Sequence, residues 1–384
     1  KRGSRIPVVQ PAWRQRVAKK SSFFPNPRRN FPELCGAFFR NLRLMPLVDP
    51  SDYRPPRWLR GSHAQTIYPA LFRKVAGVTY RRERLTLPDG DFLDLDWAVR
   101  SRQSSVDNRQ LNHVSTDDYR LTTDDLVILS HGLEGDSTRQ YILGMVRLLN
   151  QHRFDCLAWN YRSCSGEMNL TQRFYHSGAT DDLHTVVQHA RAKGYQRISL
   201  IGFSLGGNLT LKYLGEQGGG TGVERAVVFS VPLHLSSSSQ RIETGGSRVY
   251  SRRFNRTLKR KIREKAARMP DRISTANLKN IRTLRDFDDV YTSQLHGFRD
   301  AEDYYERNSS IHFVGRIAVP TLIVNAQNDP FLSAECFPFQ RMKTLEPVWF
   351  EAPQEGGHCG FYPADYDGTL WSERRALLFF ENKI

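Results

Sequence analysis

The pentapeptide Gly202-Phe203-Ser204-Leu205-Gly206 constrains this chain more than any other stretch, because of what flanks it. Before it, Gln196-Arg197-Ile198-Ser199-Leu200-Ile201 is a short apolar run that reads as a buried strand. After it, Gly207-Asn208-Leu209-Thr210-Leu211-Lys212-Tyr213-Leu214 is apolar at helical spacing. A strand that passes into a helix through Gly-x-Ser-x-Gly turns so sharply that side chains two residues to either side of the serine would collide. Glycine at 202 and 206 removes that collision. The strained turn then holds the Ser204 hydroxyl out beyond the strand ends, where a nucleophile is needed.

Such a serine needs a base, a carboxylate to orient the base, and donors for an oxyanion. Downstream, Val319-Pro320-Thr321-Leu322-Ile323-Val324-Asn325 reads as a late core strand, with Asp329 in the loop that follows. The next strand, Val348-Trp349-Phe350-Glu351, leads to Gly356-Gly357-His358-Cys359-Gly360. An imidazole in a glycine-rich loop can swing over the serine, so His358 is the expected general base and Asp329 the carboxylate that fixes its tautomer. Upstream, Asp125-Leu126-Val127-Ile128-Leu129-Ser130 reads as a central strand ending in His131-Gly132-Leu133-Glu134-Gly135. The backbone N–H groups of Leu133 and Leu205 are the expected oxyanion donors. Asp181 and Asp182 open the helical run Leu183-His184-Thr185-Val186-Val187, so they are read as caps of a helix N-terminus. His131 and Asp136 share a His-x-x-x-x-Asp spacing, read as coincidence because the histidine ends a core strand.

The punctuation of the chain predicts an α/β fold with a mostly parallel central sheet covered by helices on both faces. Val78 to Leu87 and Phe92 to Val99, joined at Pro88-Asp89-Gly90, form an opening hairpin. Ser101 to Thr123 is a polar excursion. Strands near 126–130, 154–159, 197–202, 226–231, 320–325 and 347–351 then alternate with helices near 138–151, 180–193 and 205–216. Between Val231 and Ile317 the pattern breaks, and a helical lid over about 232–317 is expected after the sixth core strand. Its basic helix, Phe254 to Met269, is read as a solvated face at Lys259-Arg260-Lys261-Ile262-Arg263.

On these residues the chain resembles the YheT-like group of α/β-hydrolases, with its abhydrolase-domain lipases and yeast ethyl ester synthases. The matching pieces are Tyr53-Arg54-Pro55-Pro56, His63-Ala64-Gln65-Thr66-Ile67-Tyr68, His131 to Gly135, Asn160-Tyr161-Arg162, Gly202 to Gly207, Asn328-Asp329-Pro330 and Gly356-Gly357-His358. They span residues 45 to 384. The resemblance implies a charge relay on Ser204, Asp329 and His358 and an esterase or lipase activity. His63, in the entrance segment, is read as a packing or hydrogen-bonding residue. Two stretches depart from the group: the Ser101 to Thr123 insertion, and everything before Met45.

Composition enters through its distribution. The net charge is +16, but residues 1–44 carry 11 Lys and Arg against the single acid Glu33, while the remainder carries 45 basic and 39 acidic side chains. The excess is concentrated in a Pro- and Arg-rich leader that reads as disordered, and as upstream sequence ahead of a start at Met45. The rest, residues 45–384, is expected to be one α/β-hydrolase domain with no nucleic-acid partner. Five scattered cysteines, Cys35, Cys156, Cys164, Cys336 and Cys359, have no metal spacing and suggest a reducing, cytoplasmic setting. No apolar run approaches the ~20 residues of a membrane helix, which leaves peripheral membrane contact as the route to a lipid surface. The expectation is a monomeric serine carboxylester hydrolase that acts on a small ester or acylglycerol without metal or organic cofactor. Acyl transfer to an alcohol would use the same residues. A catalytically silent lipid-binding protein would not need them.

Overall fold

The structure is a computed structural model, which describes residues 46–99 and 123–383. The expectations placed on residues 1–44 and on 101–122 lie outside the described residues. The strands are β1 (Leu47–Val48), β2 (Arg81–Thr86), β3 (Phe92–Ala98), β4 (Asp125–Ser130), β5 (Asp155–Asn160), β6 (Arg197–Phe203), β7 (Arg225–Phe229), β8 (Thr321–Val324) and β9 (Val348–Glu351). They form one sheet in the order β1-β9-β8-β7-β6-β4-β5-β3-β2. β3 runs antiparallel to both β2 and β5, and every other pairing is parallel.

The opening hairpin shows the logic of period-two strands. Leu93, Leu95 and Trp97 point into the core, while Asp94 and Asp96 point the other way. The register sets Arg84 opposite Asp94 and Arg82 opposite Asp96, and each arginine forks its partner at 2.7–2.9 Å. Gly90, at φ 78, makes the turn.

The parallel strands are apolar on both faces because both are covered. Leu126, Ile128, Ile198, Leu200, Ala226 and Val228 join one apolar cluster; Val127, Leu129, Ile201, Phe203, Val227 and Phe229 join the other. Helices supply the cover. The helices longer than one turn are α1 (Ser62–Phe72), α2 (Gln140–Gln151), α3 (Thr180–Ala192), α4 (Leu205–Gln217), α5 (Leu235–Arg241), α6 (Arg248–Arg268), α7 (Ala301–Asn308) and α8 (Trp371–Phe380). α3 and α4 pack on the first face through Leu183, Val186, Val187, Leu209 and Leu214. α2 and α8 pack on the second through Ile142, Met145, Val146, Leu377 and Phe380. Each such buried side chain contributes roughly 1.5–3 kcal/mol.

Residues 232–317 leave the sheet between β7 and β8 and return as helices α5 to α7 with short turns between them, among them a π turn at Asp288–Thr292. This insertion has its own apolar cluster, including Leu258, Ile262, Ile281 and Phe287. It follows the seventh strand in chain order, because the two-residue β1, too short to show periodicity, precedes the hairpin. The basic helix begins earlier than expected, at Arg248, and its expected solvated face needs correcting. Arg256, Arg260 and Arg263 do face solvent, but Lys259, Lys261 and Lys265 turn inward. Lys265 is fully buried, and its Nζ donates to Asn169 Oδ1, Thr171 O and Arg173 O at 2.7–2.8 Å. The composition concealed this, since a lysine stem packs as a hydrocarbon and only its tip needs acceptors.

Candidate active site

Parallel strands bring their carboxyl ends to one edge of the sheet, and four of those ends build the site. β6 ends at Phe203, and Ser204 turns the chain into α4 at φ 54, ψ −117. A non-glycine residue there stores of order 1–3 kcal/mol of backbone strain. A Cβ at Gly202 would lie 2.5 Å from the Gly206 carbonyl oxygen, and one at Gly206 would strike the carbonyls of Ser130 and His131. The first glycine relieves the turn itself; the second lets α4 press against the end of β4.

β8 delivers Asp329 and β9 delivers His358. His358 Nε2 lies 2.9 Å from Ser204 Oγ, and its Nδ1 lies 2.8 Å from Asp329 Oδ2 and 3.1 Å from Oδ1. Asp329 is 3% exposed and also accepts from the Phe331 N–H at 2.9 Å. The Phe331 ring packs on the imidazole with centroids 4.0 Å apart. The three side chains singled out from sequence therefore meet in one hydrogen-bonded line.

β4 delivers the loop His131 to Gly135. Gly132 N–H donates to Tyr141 Oη, Glu134 N–H to Tyr175 Oη and Gly135 N–H to Gly132 O. Among the described residues, the Leu133 N–H has no protein acceptor, and neither has that of Leu205. Both residues line the cavity that holds Ser204 and His358, of about 150 Å³. The rest of the wall is largely apolar, with Phe254, Leu258, Phe287 and Leu295 contributed by the insertion. Lys261 also reaches it, and its Nζ sits 2.8 Å from Glu134 Oε1, which accepts the Tyr175 hydroxyl at 2.7 Å as well.

Sequence reasoning missed the residues that hold the His358 loop. Gly356 N–H donates to Gln65 Oε1, Gly357 N–H to Asn328 Oδ1, His358 N–H to Thr66 Oγ1 and Cys359 N–H to Ser230 Oγ, at 2.8–3.0 Å. Four consecutive N–H groups are thus anchored by side chains from three separate segments. The only signal available was that Gln65 and Thr66 fall in the entrance segment. His63 of that segment stacks on Tyr250 and bonds its hydroxyl at 3.1 Å.

The remaining candidates fall elsewhere. Asp182 forks Arg162 at 2.8 and 2.9 Å instead of capping α3, and Arg162 also binds Asp89 and Asp91. The helix position was legible, but the arginine that claims the carboxylate comes from the end of β5. His131 is buried, donates from Nδ1 to Gly132 O and accepts the Tyr161 N–H. Burial pushes it down to about 4, so it stays neutral. Cys156, Cys164, Cys336 and Cys359 are free and buried, and desolvation pushes the Cys359 thiol far above its ordinary range. Among the described residues no helix is long and apolar enough to cross a membrane.

Comparison with known proteins agrees with this architecture. Residues 125–343 match the family described as alpha/beta hydrolase fold. The chain is 35% identical to YheT of Escherichia coli over 334 residues, covering 85% of this chain and 92% of YheT. It is 29% identical to the monoacylglycerol lipase of Saccharomyces cerevisiae, covering 85% and 80%. Among solved structures, the alpha/beta hydrolase GrgF from Penicillium superposes with a TM-score of 0.52 at 14% identity, covering 80% of this chain and 99% of that one. A superposition at such low identity reflects the fold, and the family match with the sequence match to YheT adds kinship: the chain belongs to the α/β-hydrolase family.

Proposed function

We propose that the chain is a serine carboxylester hydrolase that works through an acyl-enzyme on Ser204. The observation that carries this reading is the unbroken line Asp329–His358–Ser204 opening on an apolar cavity. His358 Nε2, unprotonated because Nδ1–H donates to Asp329, takes the Ser204 proton as Oγ attacks the ester carbonyl. The carboxylate balances the imidazolium that forms. The N–H groups of Leu133 and Leu205 receive the developing oxyanion, and a fixed pair of donors needs no reorganisation as charge appears. His358 then protonates the leaving alcohol, and water repeats the sequence on the acyl-enzyme. The apolar wall suits an acyl chain, and the helical insertion acts as the lid that sets access to it. The name of the yeast relative, a monoacylglycerol lipase, supports acylglycerols as the substrate class.

A fluorophosphonate probe tests the reading. The wild-type chain is expected to be labelled and to hydrolyse nitrophenyl esters, and Ser204→Ala to lose both while keeping its thermal transition. Labelling that survives in the variant would place the nucleophile elsewhere.

A further inference from the structure

One stretch of the cavity wall is polar, and nothing in the chemistry above uses it. Six side chains that line the cavity close into a ring. His176 and His296 have ring centroids 4.5 Å apart, and His296 Nδ1 donates to Thr292 O at 2.7 Å. Thr292 Oγ1 donates to Asp288 Oδ1 and Tyr305 Oη to Asp288 Oδ2, both at 2.6 Å. Tyr305 packs on Tyr304 at 5.2 Å, and Tyr304 returns to His176 at 5.8 Å.

The hydrogen bonds of this ring are incomplete in a specific way. His176 is 9% exposed and its Nδ1 accepts the Gly178 N–H at 3.1 Å, so the proton sits on Nε2. That N–H has no acceptor among the described residues, and burial, which holds the imidazole well below the usual histidine range, keeps it neutral. Tyr304 Oη accepts the Ser177 N–H at 2.9 Å and also meets the Ser177 side chain, so it closes the ring without a vacancy of its own. Each oxygen of Asp288 accepts one hydroxyl and retains a second lone pair. The unpaired His176 donor opens on the cavity, so the wall is poised for a ligand that supplies an acceptor.

The ligand chemistry follows from having both kinds of vacancy. A phosphate would bring negative charge against the Asp288 carboxylate. An ammonium offers donors alone and would leave the His176 donor unmatched. Neutral hydroxyls do both, accepting from His176 and donating to Asp288. We infer that the ring formed by His176, Asp288, Tyr304 and Tyr305 is a subsite for free hydroxyl groups on the ester substrate. This rests on the ester hydrolase reading and narrows it to hydroxyl-bearing esters.

The test compares esters of one acyl length in the full chain. Ethyl decanoate has no free hydroxyl, 1-decanoylglycerol carries its hydroxyls on the alcohol side, and ethyl 10-hydroxydecanoate carries one on the acyl side. Decanoylcholine supplies the cationic alternative. With wild type, kcat/KM for one hydroxyl-bearing ester is expected to exceed that for ethyl decanoate by about tenfold or more, the yield of one hydrogen bond from His176 and one to Asp288. Which ester gains tells which side of the scissile bond faces the ring. Asp288→Ala and His176→Phe are each expected to bring that ratio down toward one, and either variant suffices if the other does not fold. A wild-type ratio near one, an unaltered ratio in a folded variant, or a preference for decanoylcholine overturns the assignment. Turnover of ethyl decanoate and its loss in Ser204→Ala report on the hydrolase reading separately.

Discussion

Asp329→Asn is the sharpest test of the proposed relay, because the structure says which way the amide will sit. The Phe331 N–H donates to Asp329 Oδ1, and that donor is part of the main chain and stays in place. An asparagine therefore keeps its carbonyl oxygen at the Oδ1 position and puts its NH₂ where Oδ2 was, 2.8 Å from His358 Nδ1. A donor there makes Nδ1 the acceptor and moves the imidazole proton to Nε2, the atom that must receive the Ser204 proton. The neutral amide also no longer balances the imidazolium. Both effects act on the transition state and neither on apolar substrate binding. The expected loss is on the order of 10⁴-fold in kcat, or about 5 kcal/mol, with KM within a few-fold of wild type. Steady-state hydrolysis of a nitrophenyl ester and the rate of fluorophosphonate inactivation should fall together, with the thermal transition little moved. The control is Asp182→Asn, which breaks the buried fork to Arg162 and should lower stability with kcat retained. A kcat loss under tenfold for Asp329→Asn, or a larger loss for Asp182→Asn, would refute the assignment of the acid.

Thr66→Val removes the acceptor of the His358 N–H while keeping the side-chain shape. It should cost about 1–3 kcal/mol in urea unfolding, and loosening the base should lower kcat roughly 10–100-fold; unchanged turnover would show that the other three anchors suffice. Lys261→Met leaves the Glu134 carboxylate, 7% exposed at its side chain, without its cation. The expected cost is about 3–5 kcal/mol, and a change under about 0.5 kcal/mol in denaturant would show that the pair contributes little. Asp288 is pushed up to about 6, chiefly by desolvation, so the folded chain holds a proton there that the unfolded chain has released above about pH 4. Stability should therefore fall as pH rises from about 4 to 6, and Asp288→Asn should flatten that part of the curve in urea titrations at pH 4.5 and 7. A curve that keeps the wild-type slope in the variant assigns the proton to another group.

Local chemistry made much of this protein legible in its residues alone. Gly202-x-Ser204-x-Gly206 between an apolar strand and a run apolar at helical spacing permits few conformations, so the elbow follows from sterics within ten residues. Ser204, Asp329 and His358 each follow a buried strand, and parallel strands bring their ends to one edge whatever the loops do. The alternation of Leu126 to Leu129 between two apolar clusters follows from the pleat in the same way. Tertiary structure decided what depends on partners far away in the chain. Whether a lysine of α6 faces water or Glu134 is invisible in Lys259-Arg260-Lys261, since both fates need the same side chain. Asp182 could cap a helix or fork Arg162, and only the placement of β5 against α3 chooses. The anchors of the His358 loop come from Gln65, Thr66, Ser230 and Asn328, as much as 292 residues away. The polar ring exists because α7 and the π turn fold over His176. A hydrogen bond satisfied across such distances leaves no period in the sequence, because what selects the residue is a neighbour that only the fold supplies.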